Sequence, residues 1–192
     1  TSFDDDGSAG AVWGYDGYQG VTSLTAMGAI NRGDMEEMEA RLPWRILKYE
    51  MVEDFTGEGQ WRGGPGIHWE AVNEGSDGQM ATGSSDGDVV QGFGAQGGNP
   101  SPVCRTYIDR GDERIRVKPH RMVDVKEGDI IIKQSSGGGG VGVPADRDPE
   151  MVLEDVINEL VSIKAAREIY KVEIDQKTLT IDESKTEKLR AA

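Results

Sequence analysis

Alternating apolar and charged positions predict two strands in the first half of the chain. Residues 45–51 show the two-residue period of a half-buried strand. The apolar positions of that strand are Leu47, Tyr49 and Met51. Residues 67–71 repeat the period, so His68 is expected on the face opposite Trp69.

Four further strands follow from similar patterns. A short one is expected near Met80, and residues 103–108 and 114–117 are expected to form a hairpin around Gly111. Residues 123–125 lead into a fourth strand centred on three consecutive isoleucines, residues 130–132. Between these segments the chain carries clustered glycines, which are typical of loops that link short strands.

A run of four glycines after the isoleucine strand is the point around which the pattern changes. The run consists of Gly137, Gly138, Gly139 and Gly140. It is too long for a single turn and indicates positive φ angles, very close packing, or both. A helix is then expected to begin at Pro149, with Asp148 as its N-cap.

The last part of the chain has helical rather than strand periodicity. One apolar stripe is formed by Val152, Leu153, Val156, Ile157 and Leu160. Ser162 is a second candidate N-cap, and Tyr170 closes the next apolar face. These signals predict a helical hairpin over residues 149–170, then a short strand near Ile174, and an exposed tail or short final helix over residues 175–192.

Together the elements predict an α+β fold. Its body is glycine-rich and mainly antiparallel β, and it is followed by a C-terminal helical hairpin and a polar tail. We expect an acidic and glycine-rich extended arm over residues 1–20, a β-rich domain over residues 21–148, and the hairpin and tail over residues 149–192. The three aspartates at positions 4–6 are interpreted as a solvated part of the arm.

Composition and charge exclude several classes of function. The formal net charge of −14 argues against binding to nucleic acid or to an anionic membrane surface. No apolar run reaches the ~20 residues of a membrane span. A single cysteine, Cys104, excludes an internal disulfide and favours a cytoplasmic protein. With only two histidines, a metal site within this chain is not expected.

The residues alone disclose no reaction, and no catalytic residue is identified. The segment from Gly92 to Gly97 matches the dinucleotide pattern G-x-G-x-x-G, but Pro100 and Pro102 follow it where a helix would have to begin, so that interpretation is rejected.

The candidate binding residues are the glycine-rich segments, one arginine and one histidine. The four-glycine run either cradles an anion with its N–H groups or packs against another domain or subunit. Arg62, beside Gly63 and Gly64, either binds a carboxylate or phosphate or forms a structural ion pair. His68 is expected on the surface or facing a partner.

Several motifs, in a fixed order, resemble the C-terminal part of the hydantoinase B family. This family includes oxoprolinases and the large subunits of acetone and acetophenone carboxylases. Residues 54–59 read Asp-Phe-Thr-Gly-Glu-Gly, and residues 62–66 read Arg-Gly-Gly-Pro-Gly. The tetraglycine run with residues 146–150, Asp-Arg-Asp-Pro-Glu, matches a later signature, and residues 152–170 are similar to the closing helices of the family.

The resemblance implies ATP-dependent chemistry on a carbonyl group, carried out by several chains. A hydantoinase-A-like subunit would bind ATP, and an N-terminal hydantoinase-B-like region on another chain would carry a divalent metal and much of the active site. ATP and the metal are therefore expected in partner chains, with none bound by this chain alone.

Three functions remain open from the sequence. The first is a subunit of a ketone carboxylase of the acetone or acetophenone carboxylase type. The second is the same role in a hydantoinase- or oxoprolinase-type cyclic-amide hydrolase. The third is a non-catalytic scaffold in such a complex. In the first two cases the chain is expected to be inactive alone.

Overall fold

The computed structural model describes residues 7–18, 20, 34–82 and 86–191. The three aspartates at positions 4–6 lie outside this range. The strands in the described part are β1 (Trp44–Met51), β2 (Ile67–Asn73), β3 (Gly78–Thr82), β4 (Arg105–Arg110), β5 (Glu113–Val117), β6 (Arg121–Val125), β7 (Ile130–Gln134), β8 (Ile174–Asp175) and β9 (Thr180–Ile181). The helices there are α1 (Met35–Arg41), α2 (Pro149–Ile157), α3 (Ile163–Glu168) and α4 (Glu183–Arg190).

A five-stranded antiparallel sheet forms the body of the protein. Its strand order is β1-β2-β7-β4-β5, so the isoleucine strand β7 lies at the centre. Ala71, Ile131 and Ile108 are direct neighbours across β2, β7 and β4, and all three are buried. The alternating pattern predicted for β2 is therefore the pattern of a strand with one face on a core.

One face of this sheet is covered by a small ribbon of β3 and β6. Val125 of the ribbon packs in the same apolar cluster as Trp69 and Ile131, and Met80 and Val123 lie against that cluster. His68 lies on the opposite face, as predicted. The predicted hairpin of β4 and β5 is also present, and Gly111 has a positive φ of 58° in its turn.

The prediction that β1 is half-buried through Leu47, Tyr49 and Met51 is wrong. These side chains are 41%, 37% and 44% exposed. The reason is that β1 is an edge strand with an irregularity in register between Ile46 and Lys48. The contacts of β1 with the core cluster come from Trp44 and Ile46, before that irregularity.

The helical part builds a second core. It follows residues 137–140, which we call the tetraglycine segment, in the chain. Asp148 caps α2 by accepting from the Glu150 N–H, and Ser162 caps α3 by accepting from the Ala165 N–H. Apolar residues from α2, α3 and the following chain form this core, among them Val152, Ala166, Tyr170 and Val172.

The predicted α+β class and the C-terminal helical hairpin are confirmed. The tail forms the short ribbon β8–β9 and the final helix α4. The division at residues 20 and 148 stays a prediction.

Candidate functional site: a glycine junction, a buried charge network and an open sheet face

The tetraglycine segment is buried, and other backbone segments press against it. A Cβ added at Gly138 would overlap the carbonyl of Ala9, and one at Gly139 would overlap the carbonyl of Phe93. A Cβ at Gly140 would overlap the carbonyl of Glu58. These neighbours are backbone atoms that cannot rotate away, so side chains are excluded sterically. The glycines therefore serve close approach of several chain segments at one point.

Backbone hydrogen bonds tie these segments together. Gly138 donates its N–H to the carbonyl of Gly64 at 2.9 Å, and Gly140 donates to the carbonyl of Asn99 at 3.0 Å. The carbonyl of Gly138 accepts from the N–H of Gly57 at 2.7 Å. The amides of Gly138 and Gly140 are thus used within the chain, as expected for the packing interpretation of the run. A ligand-binding role for the tetraglycine segment stays a prediction.

The second glycine motif meets the first. A Cβ at Gly63 would overlap the carbonyl of Gly138, and a Cβ at Gly64 would overlap the carbonyl of Tyr18. One set of predicted site residues precedes β2 in the chain and the other follows β7. The structure brings the two sets together. We call this contact region the glycine junction; it consists of residues 9–10, 57–58, 63–64, 93–94 and 137–140.

Arg62 leads from this junction into a buried network of charges. Its Nε and Nη2 atoms each lie 2.8 Å from Oδ1 of Asp155 in α2. Oδ2 of the same carboxylate accepts from Nη2 of Arg147 at 2.8 Å. Arg147 also forms a two-point pair with Asp16 of the arm, at 2.8 and 2.7 Å. Of the alternatives for Arg62, the structural ion pair is the one that the structure contains.

Burial and neighbouring charges act in opposite directions on this network. Burial alone would lower the pKa of Arg147, but the hydrogen bond to Asp16 and the charges of Asp155 and Asp16 outweigh it and raise that pKa. For the Tyr170 hydroxyl, burial acts in the other direction and raises the pKa well above its usual range. The network therefore has two fixed cations and two carboxylates, and it holds the arm, the junction and α2 together.

His68 lies apart from the network, on the uncovered face of the sheet. It is opposite Gln134 of β7, three residues before the tetraglycine segment. Its Nε2 lies 2.6 Å from Oε1 of Glu70, and both side chains are half-buried. The same face carries the pair of Arg114 and Asp109 at 2.7 Å. This open face therefore carries fixed ion pairs beside the buried side chain of Ile132, which lies opposite Glu70.

The described residues offer no ready metal site. No group of three or more His, Cys, Asp or Glu side chains within them is placed to hold an ion. Nor does any helix in that part of the chain have the length and apolar character needed to cross a membrane.

Sequence reasoning identified Arg62 but missed its partners Asp16 and Asp155, and it missed Arg147, which pairs with the same two carboxylates. One signal was available: Asp155 lies three residues after Val152 and one before Val156, on the apolar stripe of α2. A carboxylate at a core position is expected to pair with a buried cation. The pattern could not indicate which cation, because Arg62 is 93 residues away in sequence.

Comparison with known proteins places this arrangement in a family. A family model described as hydantoinase B/oxoprolinase matches residues 4–144. The chain is 33% identical over 190 residues to caprolactamase subunit beta of Pseudomonas jessenii, which covers 96% of this chain and 32% of that protein.

Two solved structures share the fold. The ATP-dependent caprolactamase from Pseudomonas jessenii superposes with a TM-score of 0.79 at 28% identity, covering 97% of this chain and 33% of that one. A nucleotide-free acetone carboxylase gives 0.77 at 20% identity over 97% of this chain and 29% of that one, which is a likeness of fold alone. The chain thus spans about a third of the length of these relatives, and it belongs to the hydantoinase B/oxoprolinase family.

Proposed function

We propose that this chain is the C-terminal unit of the hydantoinase-B-type part of an ATP-dependent complex that opens cyclic amides. The observation that carries the proposal is the identity of 33% with caprolactamase subunit beta, which extends over 96% of this chain. The likeness to acetone carboxylase concerns the fold, so a ketone carboxylase is the second candidate and rests on the sequence motifs.

The geometry supports a structural role for much of this unit. The buried cations Arg62 and Arg147 are occupied by carboxylates of the same chain, and amides of the glycine junction donate to carbonyls. The resemblance of the motifs to the hydantoinase B family implies that a hydantoinase-A-like chain would bind ATP. The N-terminal hydantoinase-B-like region would hold any divalent metal and the reacting carbonyl group.

The open sheet face is one part of this unit that we assign to contact with the rest of the complex. There, Glu70 holds His68 in one orientation through a 2.6 Å contact. A half-buried imidazole fixed by a carboxylate suits hydrogen bonding to a polar group of a partner or substrate. The ends of β2 and β7 next to that face would be fixed by the glycine-rich segments, which are Arg62, Gly63, Gly64 and the tetraglycine segment.

The test is substrate-dependent ATP turnover by the purified complex that contains this chain. We expect a lactam such as caprolactam, or a hydantoin or 5-oxoproline, to stimulate ADP release, together with formation of the ring-opened amino acid or carbamoyl acid. ADP release that requires both bicarbonate and a ketone would instead support the carboxylase. Full activity in a complex lacking this chain would overturn both and favour the scaffold.

A variant series tests the part assigned to His68. His68→Ala is expected to lower turnover while leaving the thermal unfolding of the chain nearly unchanged, because the side chain lies outside both apolar cores. Lys48→Ala is the matched control, since Lys48 forms a similar pair with Glu50 on the same face but is 44% exposed. Equal activity of the two variants would remove His68 from the proposal.

A further inference from the structure

Four aromatic side chains around the glycine junction are exposed to solvent. The exposed fractions are 65% for Trp13, 70% for Tyr15, 75% for Tyr18 and 86% for Phe93. We call these four residues the aromatic rim. The chain has 12 Trp, Tyr and Phe residues in all, so a third of its aromatic side chains are exposed in this one region. Aromatic residues are enriched at the centres of protein interfaces.

The backbone segments that bear the rim residues all contact the glycine junction. Ala11 donates its N–H to the carbonyl of Gly139 at 2.9 Å, which anchors the arm segment that bears Trp13 and Tyr15. The carbonyl of Phe93 lies against Gly139 from another side. Tyr18 is linked to the junction through its carbonyl, which accepts from the N–H of Ala9 at 2.8 Å.

One ring of the rim, that of Trp13, is also held by a neighbouring ring before anything binds. The Trp13 ring lies 4.4 Å from the ring of Trp61, centroid to centroid. Trp61 in turn pairs with Val141 through backbone bonds of 3.0 and 2.9 Å, directly after the tetraglycine segment. A surface built on close-packed backbone loses little conformational freedom on binding, which favours association.

The exposed aromatic area could supply a large part of an interface. With about 150–250 Å² for each aromatic side chain, four rings at these exposures present roughly 400–750 Å². A standard interface buries about 800 Å² on each partner, and an apolar patch of several hundred Å² is typical of an interaction site. The net charge of −14 opposes pairing of two copies of this chain.

We propose that the aromatic rim binds the region of a hydantoinase-B-type polypeptide that lies outside the unit described here. This proposal rests on the proposed function and adds a second contact surface to the open sheet face that carries His68. It follows from length: the solved caprolactamase contains this fold in about a third of its chain, so in such a protein the other two thirds must contact the unit somewhere. The rim supplies apolar side chains for that contact, on backbone that is already fixed at the glycine junction.

Photo-crosslinking in the intact complex tests this assignment. A photoreactive benzoyl-phenylalanine is placed at position 93, where the native side chain is 86% exposed and its replacement does not disturb a core. The control is the same group at position 122, since Met122 of β6 is an apolar side chain outside the rim that is 62% exposed. After irradiation, the crosslinked peptides are identified by mass spectrometry.

We expect position 93 to crosslink to hydantoinase-B-type sequence outside this unit, whether on the same polypeptide or a separate one, and at least tenfold more than position 122. Crosslinks to a hydantoinase-A-like chain, crosslinks to a second copy of this chain, equal yields at both positions, or no crosslink would each overturn the proposal. The readout is independent of activity. A complex that turns over ketones rather than lactams would refute the proposed function and leave this test intact.

Phe93→Ser and Met122→Ser provide a second measurement. Phe93→Ser is expected to weaken retention of the hydantoinase-B-type region at least tenfold in a pull-down at fixed salt, and Met122→Ser to change it less than twofold. If this region is on the same polypeptide, the same contrast is expected in its release after proteolytic cleavage. Equal retention by the two variants would contradict the assignment.

Discussion

Replacement of Asp155 by asparagine tests whether the buried charge network holds the helical part to the glycine junction. The Asp155 carboxylate accepts three contacts of 2.8 Å, two from Arg62 and one from Arg147. Its side chain is 5% exposed, and those of the two arginines are 11% and 1% exposed. Asparagine keeps the shape but removes the charge, and one of its two terminal groups becomes a donor facing a donor.

The contacts set an upper bound for the effect. A hydrogen bond to a charged group contributes about 1.5–3 kcal/mol, so three independent bonds would give roughly 5–9 kcal/mol. The real loss is smaller, because asparagine retains one acceptor and Arg147 keeps its two bonds to Asp16. Breaking a buried pair costs about 3–5 kcal/mol, and we expect Asp155→Asn to lower the free energy of unfolding by that amount.

Urea unfolding of the purified chain, followed by tryptophan fluorescence, measures this loss. At 2–4 °C for each kcal/mol in a chain of this size, the thermal midpoint should also fall by about 6–20 °C. Asp109→Asn is the matched control. It breaks the pair with Arg114, whose side chain is 59% exposed, and should cost about 0.2–1 kcal/mol.

A loss below about 1 kcal/mol for Asp155→Asn, comparable to that for Asp109→Asn, would refute the reasoning. If the variant does not fold, the combination Arg62→Met with Asp155→Leu decides. In the double variant both charges of the Arg62–Asp155 pair are removed, so no buried charge at position 62 is left without a partner. The double variant should therefore be more stable than Asp155→Asn. A double variant that is no better would show that the network is not the cause.

Three further predictions concern other buried groups. A hydrogen bond from Arg110 lowers the pKa of Asp129, so this pair stabilises the fold above about pH 4, the pKa of an unfolded aspartate. The contribution is lost as the pH falls through the pKa of Asp129 in the folded chain. Asp129→Asn should therefore lower stability at pH 7 and reduce the difference in urea midpoint between pH 7 and pH 3. Gly138→Ala should prevent folding or cost more than about 3 kcal/mol, measured as soluble yield and urea midpoint, whereas Gly78→Ala, with open space around it, should change stability by less than about 1 kcal/mol. The buried hydroxyl of Tyr170 has no hydrogen-bond partner among the described residues, so Tyr170→Phe should leave the thermal midpoint unchanged or raise it, and a clear fall would show that the hydroxyl has a partner.

Local chemistry made part of the fold predictable. The N-caps Asp148 and Ser162 act within three residues of themselves, so the starts of α2 and α3 could be located from sequence. The two-residue period also placed His68 and Trp69 on opposite faces of β2. The same period failed for β1, because alternation indicates that a strand has an apolar face and does not indicate what covers it.

The candidate site was predictable only as a set of unusual residues. The four glycines signalled close packing or an anion cradle, and the resemblance of motifs to the hydantoinase B family was visible in the sequence. The choice between packing and binding depends on where other carbonyls lie, and those of Ala9 and Glu58 come from segments distant in the chain. The exposure of Trp13 and Phe93 was likewise not encoded in any local pattern.

By itself, then, the sequence determined the elements whose causes are local, which are the helix caps and the alternation along the strands. Only the tertiary structure decided that β7 lies between β2 and β4, that Arg62 meets Asp155 across 93 residues, and that Arg147 meets Asp16 across 131. The physical reason is that a local pattern fixes φ, ψ and which face is apolar. Which residue pairs with a buried charge, and which backbone segment packs against a glycine, is set by long-range packing, in which many chain segments compete for the same contact.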